Sequence, residues 1–148
     1  MVIEATALIF HPGSISLGEN VYVGHLALLD GYHRGSLEVG DGTWIGPQCY
    51  LHAAGGITIG AAVGIGPGVR ILTSSHELGD PEQPILHAPI AFAPVRIGEG
   101  CDLGAGAVIL PGVTLGRGVQ VGAGSVVTAD QPDLAVAVGV PARVLRFR

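Results

Sequence analysis

Aliphatic residues recur along this chain at intervals of six. Fifteen positions that follow this interval are all Ile, Leu or Val, and they group into sets of three. The sets are Leu17, Val23 and Leu29; Val39, Ile45 and Leu51; Ile59, Ile65 and Ile71; Ile97, Leu103 and Ile109; and Leu115, Val121 and Val127. A small or β-branched residue precedes most of them by two positions, as Thr43 precedes Ile45. Because side chains alternate between the two sides of a strand, the pattern predicts short strands with two inward residues per hexad.

Glycine marks two of every three steps in this pattern. It follows the first and second members of every set and never the third. The residues that follow the third members are Asp30, His52, Leu72, Leu110 and Thr128. Two corners of each unit therefore need a residue without a Cβ, whereas the third corner is built differently. We conclude that three hexads form one triangular coil.

Extra residues between the coils all fall at this third corner. The step from a third member to the next first member is 10, 8, 26 and 6 residues along the chain. Strands of neighbouring coils stack about 4.8 Å apart, so five coils predict a prism on the order of 25 Å long. This is typical of an all-β fold, the parallel β-helix of hexapeptide repeats. We expect one domain over residues 1–148, with a loop inserted at about 72–95 and a short C-terminal tail at about 129–148.

Composition narrows the possible partners. The chain has a net charge of −5, and its seven basic residues, all arginine, form no stripe, so nucleic acid is not expected to bind. Glycine or proline interrupts the apolar stretches every few residues, which argues against a membrane span. The first residues contain no cationic region before the apolar ones, so we expect no secretory signal and a cytoplasmic location. Cys49 and Cys101 occupy inward positions without metal or redox spacing, and we expect them to be free core thiols.

Three segments of the chain carry a resemblance to a known family. They read TIGAAVGIGPGVRILTSSH, then PVRIGEGCDLGAGAVILPGVTLGRGVQVGAGSVVTADQP, then VGVPARVLR. From Ile59 onward the chain thus resembles the hexapeptide-repeat acyltransferases, in particular the galactoside, maltose and surface-polysaccharide O-acetyltransferases. The resemblance implies a left-handed β-helix, a homotrimer with active sites between subunits, and acetyl-CoA as the acyl donor. It also implies transfer to a hydroxyl of a sugar, a nucleotide-sugar or a polysaccharide precursor, with N-acetylation of an amino sugar as an alternative.

The same resemblance assigns residues of a site. It implies His76 as the catalytic histidine and a contact with the pantetheine arm at Ala105, with similar cofactor positions further along at Ala123 and Thr128. It also implies contacts with the nucleotide end of CoA at Arg143 and Arg146. Charged arginine forks suit phosphate in a chain without lysine. Two positions depart from the family pattern, since Asp102 stands where relatives commonly carry Trp and His52 where galactoside relatives carry an asparagine. Acceptor binding is therefore expected to differ at these positions.

The stretch ILTSSHELGD opens the largest insertion with polar residues, in an otherwise aliphatic chain. An alcohol that attacks a thioester must lose its proton near neutral pH, and imidazole has a suitable pKa. We therefore interpret His76 as a general base rather than a polar surface residue, with Glu77 and Asp80 either orienting it or simply solvated. Asp30, Tyr32 and His33 occupy an earlier insertion at the same corner, where they either contact an acceptor or form a polar turn.

Two other functions are compatible with a solenoid. A zinc enzyme of the γ-carbonic anhydrase class would use three histidines across a subunit interface, but the six histidines here show no H-x4-H pair, and no metal is expected. A structural or ice-binding β-helix would have little use for the 26-residue step or for a C-terminal arginine pair, and the threonines form no outward ladder. The sequence therefore favours an acetyl-CoA-dependent O-acetyltransferase.

Overall fold

Three β-sheets form the sides of a triangular prism in the computed structural model, which describes residues 1–148. Face A comprises β1 Val2–Ile3, β4 Tyr22–Val23, β7 Trp44–Ile45, β10 Gly64–Ile65, β15 Asp102–Leu103, β18 Gln120–Val121, β20 Ala135–Gly139 and β21 Ala142–Phe147. Face B comprises β2 Leu8–Phe10, β5 Leu28–Asp30, β8 Tyr50–His52, β11 Arg70–Leu72, β16 Val108–Ile109 and β19 Val126–Val127. Face C comprises β3 Ile15–Leu17, β6 Leu37–Val39, β9 Ile57–Ile59, β14 Val95–Ile97 and β17 Thr114–Leu115. The remaining elements are the pair β12 Ser74–His76 and β13 Ile90–Phe92 and the short 3-10 helices Pro12–Ser14 and Ile85–His87.

Each coil runs from face C to face A to face B, one short strand per face. Five coils are complete, and β1 with β2 forms an incomplete coil before them. Pairing between coils is parallel and in register, as Ile45 shows by lying opposite Val23 on one side and Ile65 on the other. The predicted all-β parallel solenoid of triangular coils is confirmed. None of the helical segments has the length and apolar character that crossing a membrane requires.

The core is the stack of the aliphatic positions found in the sequence. Fourteen of the fifteen are buried, and Leu17 alone is half-buried. Leu17 lies on β3, the edge strand of face C, so no further coil covers it. Thr43 shows how a polar residue fits this core, because its hydroxyl donates to the carbonyl of Gly60 at 3.0 Å and accepts the N–H of Val63 at 3.3 Å. A buried hydroxyl with both partners carries little desolvation cost.

Both cysteines lie in this core as free thiols. Each Sγ donates to a carbonyl of the next coil, Cys49 to Gly66 at 3.1 Å and Cys101 to Gly116 at 3.0 Å. Burial raises the pKa of both thiols above the ordinary value, so both stay protonated near neutral pH. A buried protonated thiol is a poor nucleophile, and the expected packing role is confirmed.

The glycines that follow the core positions are needed because the coils approach closely. A Cβ on Gly98 would lie 2.7 Å from the carbonyl carbon of Gly116 in the next coil. The left-handed backbone falls two residues later, at Gly100 with φ 65°, where a Cβ would meet no atom within 4 Å. Backbone conformation and close approach are thus separate requirements at each corner. Close approach excludes every side chain, whereas the left-handed backbone only disfavours one.

Gly98→Ala is therefore expected to destabilise the protein much more than Gly100→Ala. The first variant forces the backbones of two coils apart, which should lower the free energy of unfolding by about 3 kcal/mol or more. The second only places an alanine at positive φ, which costs about 1–2 kcal/mol. Urea unfolding of both variants measures the difference. Equal losses would show that backbone conformation, not close approach, explains the glycine pattern.

The two ends of the prism were not predicted in detail. The incomplete first coil departs from the glycine pattern because Glu4, rather than glycine, follows Ile3, which occupies the second-member position on face A. The segment expected only as a tail forms the antiparallel pair β20–β21, which extends face A. Ala137 takes the place of a core aliphatic residue there, opposite Val121.

Candidate functional site

Two edges flank face B and carry the predicted site residues. We call the edge between face B and the following strand of face C the loop edge, since all insertions lie there. The other edge joins faces A and B and carries no insertion, so Pro67, Ala105 and Ala123 stack there directly. The carbonyls of Pro67 and Ala105 each accept an N–H from the next coil, from Gly106 at 2.8 Å and from Gly124 at 2.9 Å.

A two-stranded arm leaves the stack at the loop edge. We define the arm as residues 74–92, in which β12 and β13 pair antiparallel with Ser74 opposite Phe92 and His76 opposite Ile90. Thr73 anchors its base, because the buried hydroxyl donates to the carbonyl of His52 at 2.6 Å and accepts the N–H of Gly55 at 2.8 Å. An isolated hairpin is marginally stable in water, so the position of the arm depends on such contacts with the prism.

His76 lies on the arm with one ring nitrogen already bonded. Its Nδ1 is 3.1 Å from the carbonyl oxygen of Ala88. A carbonyl only accepts, so Nδ1 donates and carries the proton, which leaves the lone pair of Nε2 free. The side chain is half-buried at the arm's surface. This is the tautomer that a general base at Nε2 requires.

Neither nearby acid orients this ring. The Asp80 carboxylate accepts the backbone N–H of Glu82 at 2.9 Å in a turn at the arm tip, and Glu77 contacts the strand pair only through its backbone N–H, which donates to the carbonyl of Pro89 at 2.8 Å. The interpretation of both as solvated charges therefore fits better. The orienting carbonyl of Ala88 was missed because a backbone group leaves no signal in the sequence.

A second group of side chains lies along the loop edge toward the N-terminal end. One oxygen of Asp30 accepts both from Nδ1 of His11 at 2.8 Å and from the backbone N–H of Tyr32 at 2.9 Å. The ring of Tyr32 lies 4.5 Å from that of His33 and 5.3 Å from that of His52 between centroids. The structure thus brings together all four residues predicted to contact an acceptor. We call His11, Tyr32, His33 and His52, with Asp30, the ring cluster.

Two members of this region were missed by sequence reasoning. His11 belongs to the incomplete first coil, where no repeat signal pointed to the loop edge. Tyr50 has its ring 5.8 Å from that of His52. Burial, and then the negative charge of Asp30, raises the pKa of the Tyr50 hydroxyl, so it remains a protonated donor.

The predicted cofactor contacts do not meet within one chain. Ala105 and Ala123 are exposed on the edge between faces A and B, whereas Thr128 is exposed at the loop edge of the last coil. Face B separates these two edges. A ligand that touches both groups must therefore cross that face or lie between two copies of the chain.

Arg143 and Arg146 share the outer side of face A. A spacing of three residues would place them on opposite sides of a regular strand, but β21 contains a bulge opposite Val136 and Ala137. Arg146 lies opposite Val136 and Arg143 opposite Val138, which are two residues apart and therefore face the same side. Val138 in turn contacts the corner of Ala123, since a Cβ on Gly122 would lie 2.8 Å from its Cγ1. The arginine pair thus continues the line of Ala105 and Ala123.

Asp102 lies apart from the ring cluster. It points outward from face A over Gly64, where an added Cβ would be 2.9 Å from its Oδ1. The departure from Trp at this position therefore changes face A and not the loop edge. The structure contains no group of three or more His, Cys, Asp or Glu side chains arranged to hold a metal ion.

Known proteins share this architecture. Residues 94–129 match a family model described as the hexapeptide repeat of succinyl-transferase. Nodulation protein L of Rhizobium meliloti is 46% identical over 109 residues, which is 74% of this chain and 58% of that protein. The chain thus spans less than two thirds of the length of the first curated relatives that it matches.

Two solved structures resemble the whole prism. A hexapeptide-repeat containing acetyltransferase from Vibrio cholerae, complexed with acetyl coenzyme A, is 30% identical with a TM-score of 0.82, covering 92% of this chain and 73% of that one. A variant of an N-acyltransferase from Bacillus cereus, in complex with dTDP and coenzyme A, is 28% identical with a TM-score of 0.87, covering 99% of this chain and 81% of that one. Both neighbours hold coenzyme A or its acetyl thioester.

Proposed function

Because this chain belongs to the family of hexapeptide-repeat acyltransferases, we propose that it is an acetyl-CoA-dependent O-acetyltransferase with His76 as its general base. The observation that carries the role of His76 is the contact of Nδ1 with the Ala88 carbonyl, which leaves Nε2 able to accept a proton. Acetyl-CoA as co-substrate is supported by the coenzyme A found in the structural neighbours.

In the proposed reaction, Nε2 of His76 takes the proton of an acceptor hydroxyl as its oxygen attacks the acetyl carbonyl. A tetrahedral intermediate forms, and its oxyanion is stabilised by a backbone N–H of the cleft. Collapse of the intermediate breaks the carbon–sulfur bond, and the leaving thiolate takes the proton from the imidazolium. No covalent bond to the enzyme is formed, so the buried cysteines need no part.

We propose a sugar, a nucleotide-sugar or a polysaccharide precursor as acceptor. The ring cluster supports this class, because aromatic and imidazole rings pack on sugar rings while Asp30 offers an acceptor to hydroxyl groups. N-acetylation of an amino sugar would use the same base, and the Bacillus cereus neighbour is itself an N-acyltransferase.

A thiol-release assay tests the activity. Purified protein is given acetyl-CoA with panels of sugars, nucleotide-sugars and amino sugars, and the free thiol of CoA is measured. Release that depends on a hydroxylated acceptor supports O-acetylation, and release with amino sugars alone favours the alternative. No release with any acceptor of these classes contradicts the proposal.

We further propose a homotrimer, in which each site lies between two subunits. The outer side of face B is mostly apolar, with Leu8, Leu28, Tyr50, Val108 and Val126 around Arg70. If three prisms turn face B toward a common three-fold axis, the edge of Ala105 on one copy meets the loop edge of the next. Such an arrangement would join the two groups of predicted residues that one chain keeps apart.

Val108→Lys should disrupt this trimer. The substitution places a charge on face B beside Arg70, which is its partner on the neighbouring strand. Analytical ultracentrifugation at micromolar concentration should show about 45 kDa, three times 15.0 kDa, for the native protein and about 15 kDa for the variant. Thr58→Lys, exposed on the outer side of face C, is the matched control and should remain trimeric. A native protein that sediments as a stable monomer would exclude the shared site.

A further inference from the structure

One arginine at the loop edge is held by a ring and bonded to nothing else. Arg34 lies in the insertion of residues 30–36, with its Cζ 3.7 Å from the centroid of the Phe92 ring. The ion pairs of the structure join His11 with Asp30 and His25 with Glu4, so no carboxylate neutralises Arg34. The guanidinium also makes no hydrogen bond, in contrast to Arg70, whose Nη1 donates to its own loop at 3.0 Å. Its N–H groups are therefore available to a ligand.

This guanidinium lies on the side of the arm that carries His76. Cross-strand partners project from the same side of an antiparallel pair, and Phe92 is the partner of Ser74. His76 is two residues beyond Ser74, so it projects from that same side. Diagonal neighbours of this kind are about 7 Å apart. Arg34 therefore lies on the side of the arm from which the proposed base projects.

The insertion also ties Arg34 to the ring cluster. Tyr32 and His33 immediately precede it, and Gly35, which follows it, packs against the carbonyl of Ala53 so closely that a Cβ would overlap it. The insertion thus passes from the ring cluster over the backbone of the next coil at Ala53. Arg34 therefore lies between the ring cluster and the arm. A cation at this point borders both the proposed acceptor site and the proposed base.

We propose that Arg34 binds an anionic group, a phosphate or a carboxylate, on the acceptor. The planar guanidinium can donate two parallel hydrogen bonds to either anion. Because Arg34 is already stacked on Phe92, its side chain loses less conformational entropy when an anion binds. The proposal rests on the acetyl-transfer function above and narrows its acceptor to sugar phosphates, nucleotide-sugars or sugar acids. The phosphates of CoA are assigned elsewhere, to Arg143 and Arg146 on face A.

Acceptor pairs that differ only in the anionic group test this assignment. We suggest glucose against glucose 6-phosphate and glucuronic acid, and N-acetylglucosamine against its 1-phosphate, in the thiol-release assay. Native protein should prefer the anionic member of a pair, and Arg34→Ala should lower its kcat/KM by about 10- to 100-fold through KM. The neutral member should change less than about twofold. Comparison of the phosphorylated acceptors with glucuronic acid shows whether Arg34 binds a phosphate or a carboxylate.

Three further variants separate binding from support of the arm. Arg34→Lys keeps the positive charge but lacks the planar guanidinium, and Phe92→Leu keeps the guanidinium but removes the ring on which it stacks. Both variants should lose part, but not all, of the preference for anionic acceptors. Arg96→Ala, which removes an exposed arginine from the outer side of face C, is the control and should behave as native protein. A fall in kcat with equal loss for neutral and anionic acceptors would mean that Arg34 only braces the arm, and would overturn the proposal.

A titration with inorganic phosphate tests anion binding without any acceptor. With CoA saturating, so that its own phosphate contacts are occupied, phosphate should shift the NMR signals of the His76 ring in native protein and not in Arg34→Ala. Identical titrations of the two proteins would overturn the proposal. If no acceptor releases thiol, the acetyl-transfer function fails, while the titration still decides whether Arg34 binds anions.

Discussion

Replacement of His76 by alanine is expected to lower turnover by roughly 10²–10⁴-fold on the true acceptor. The variant removes the group that accepts the hydroxyl proton, while the N–H donors around the carbonyl remain. The affinity for acetyl-CoA should be nearly unchanged, because the ring lies on the arm and the proposed cofactor contacts lie on the prism. Single-turnover and steady-state thiol release, with calorimetry for acetyl-CoA binding, measure these quantities.

His87 offers a matched control for this experiment. Its exposed side chain lies in the 3-10 helix Ile85–His87 of the same arm and its ring makes no hydrogen bond, so His87→Ala should keep native turnover. Urea unfolding should give similar stability for both variants, since neither side chain belongs to the core. A His76→Ala protein that folds, binds acetyl-CoA and turns over at nearly the native rate would refute the base assignment.

Removal of both Arg143 and Arg146 is expected to weaken acetyl-CoA binding by about 10- to 100-fold, as loss of charge-assisted contacts with phosphate would. The bulge in β21 supports this prediction, because it turns both guanidinium groups to one side of face A. Acetyl-pantetheine lacks the nucleotide and its phosphates, so its binding should change by less than about threefold. Calorimetry with the two thioesters measures both effects.

Arg117→Ala is the control for this second prediction. It removes one positive charge at the edge between faces C and A, near Arg148 and away from the proposed cofactor line. Equal weakening by Arg117→Ala would indicate a general effect of net charge. Equal weakening of both thioesters by the double variant would show that the arginine pair does not meet phosphate.

The interior of the prism could be predicted from the sequence because every coil places the same packing constraints on the same positions. Each position such as Ile65 must face the core, and each glycine such as Gly98 must let two coils approach, so the constraint appears directly as a residue type. The ends do not follow this repeat. Ala137, for example, occupies a core position opposite Val121, but it is not one of the Ile, Leu or Val residues from which the period was recognised. Where the repeat stops, the sequence signal stops as well.

The sequence predicted which residues lie at the candidate site better than it predicted the contacts between them. All four residues expected at the acceptor do lie together, because insertions at one corner must line one edge. The hydrogen bond from His11 to Asp30 joins two coils whose relation no short motif records. The partner of His76 is a main-chain carbonyl, and the placement of Arg34 depends on Phe92, a residue 58 positions away. Such contacts depend on the three-dimensional path of the insertions.

The stacking of coils also determines how this chain folds. Paired core residues are separated by 22 positions from Val23 to Ile45, by 20 from Ile45 to Ile65, and by 38 where the arm intervenes between Ile65 and Leu103. Loop-closure entropy grows only logarithmically, so nearly doubling the separation costs about 0.6 kcal/mol. The prism can thus grow coil by coil from a nucleus on either side of the arm. A long arm adds little to the folding barrier, so its length and sequence can vary with little penalty to the fold.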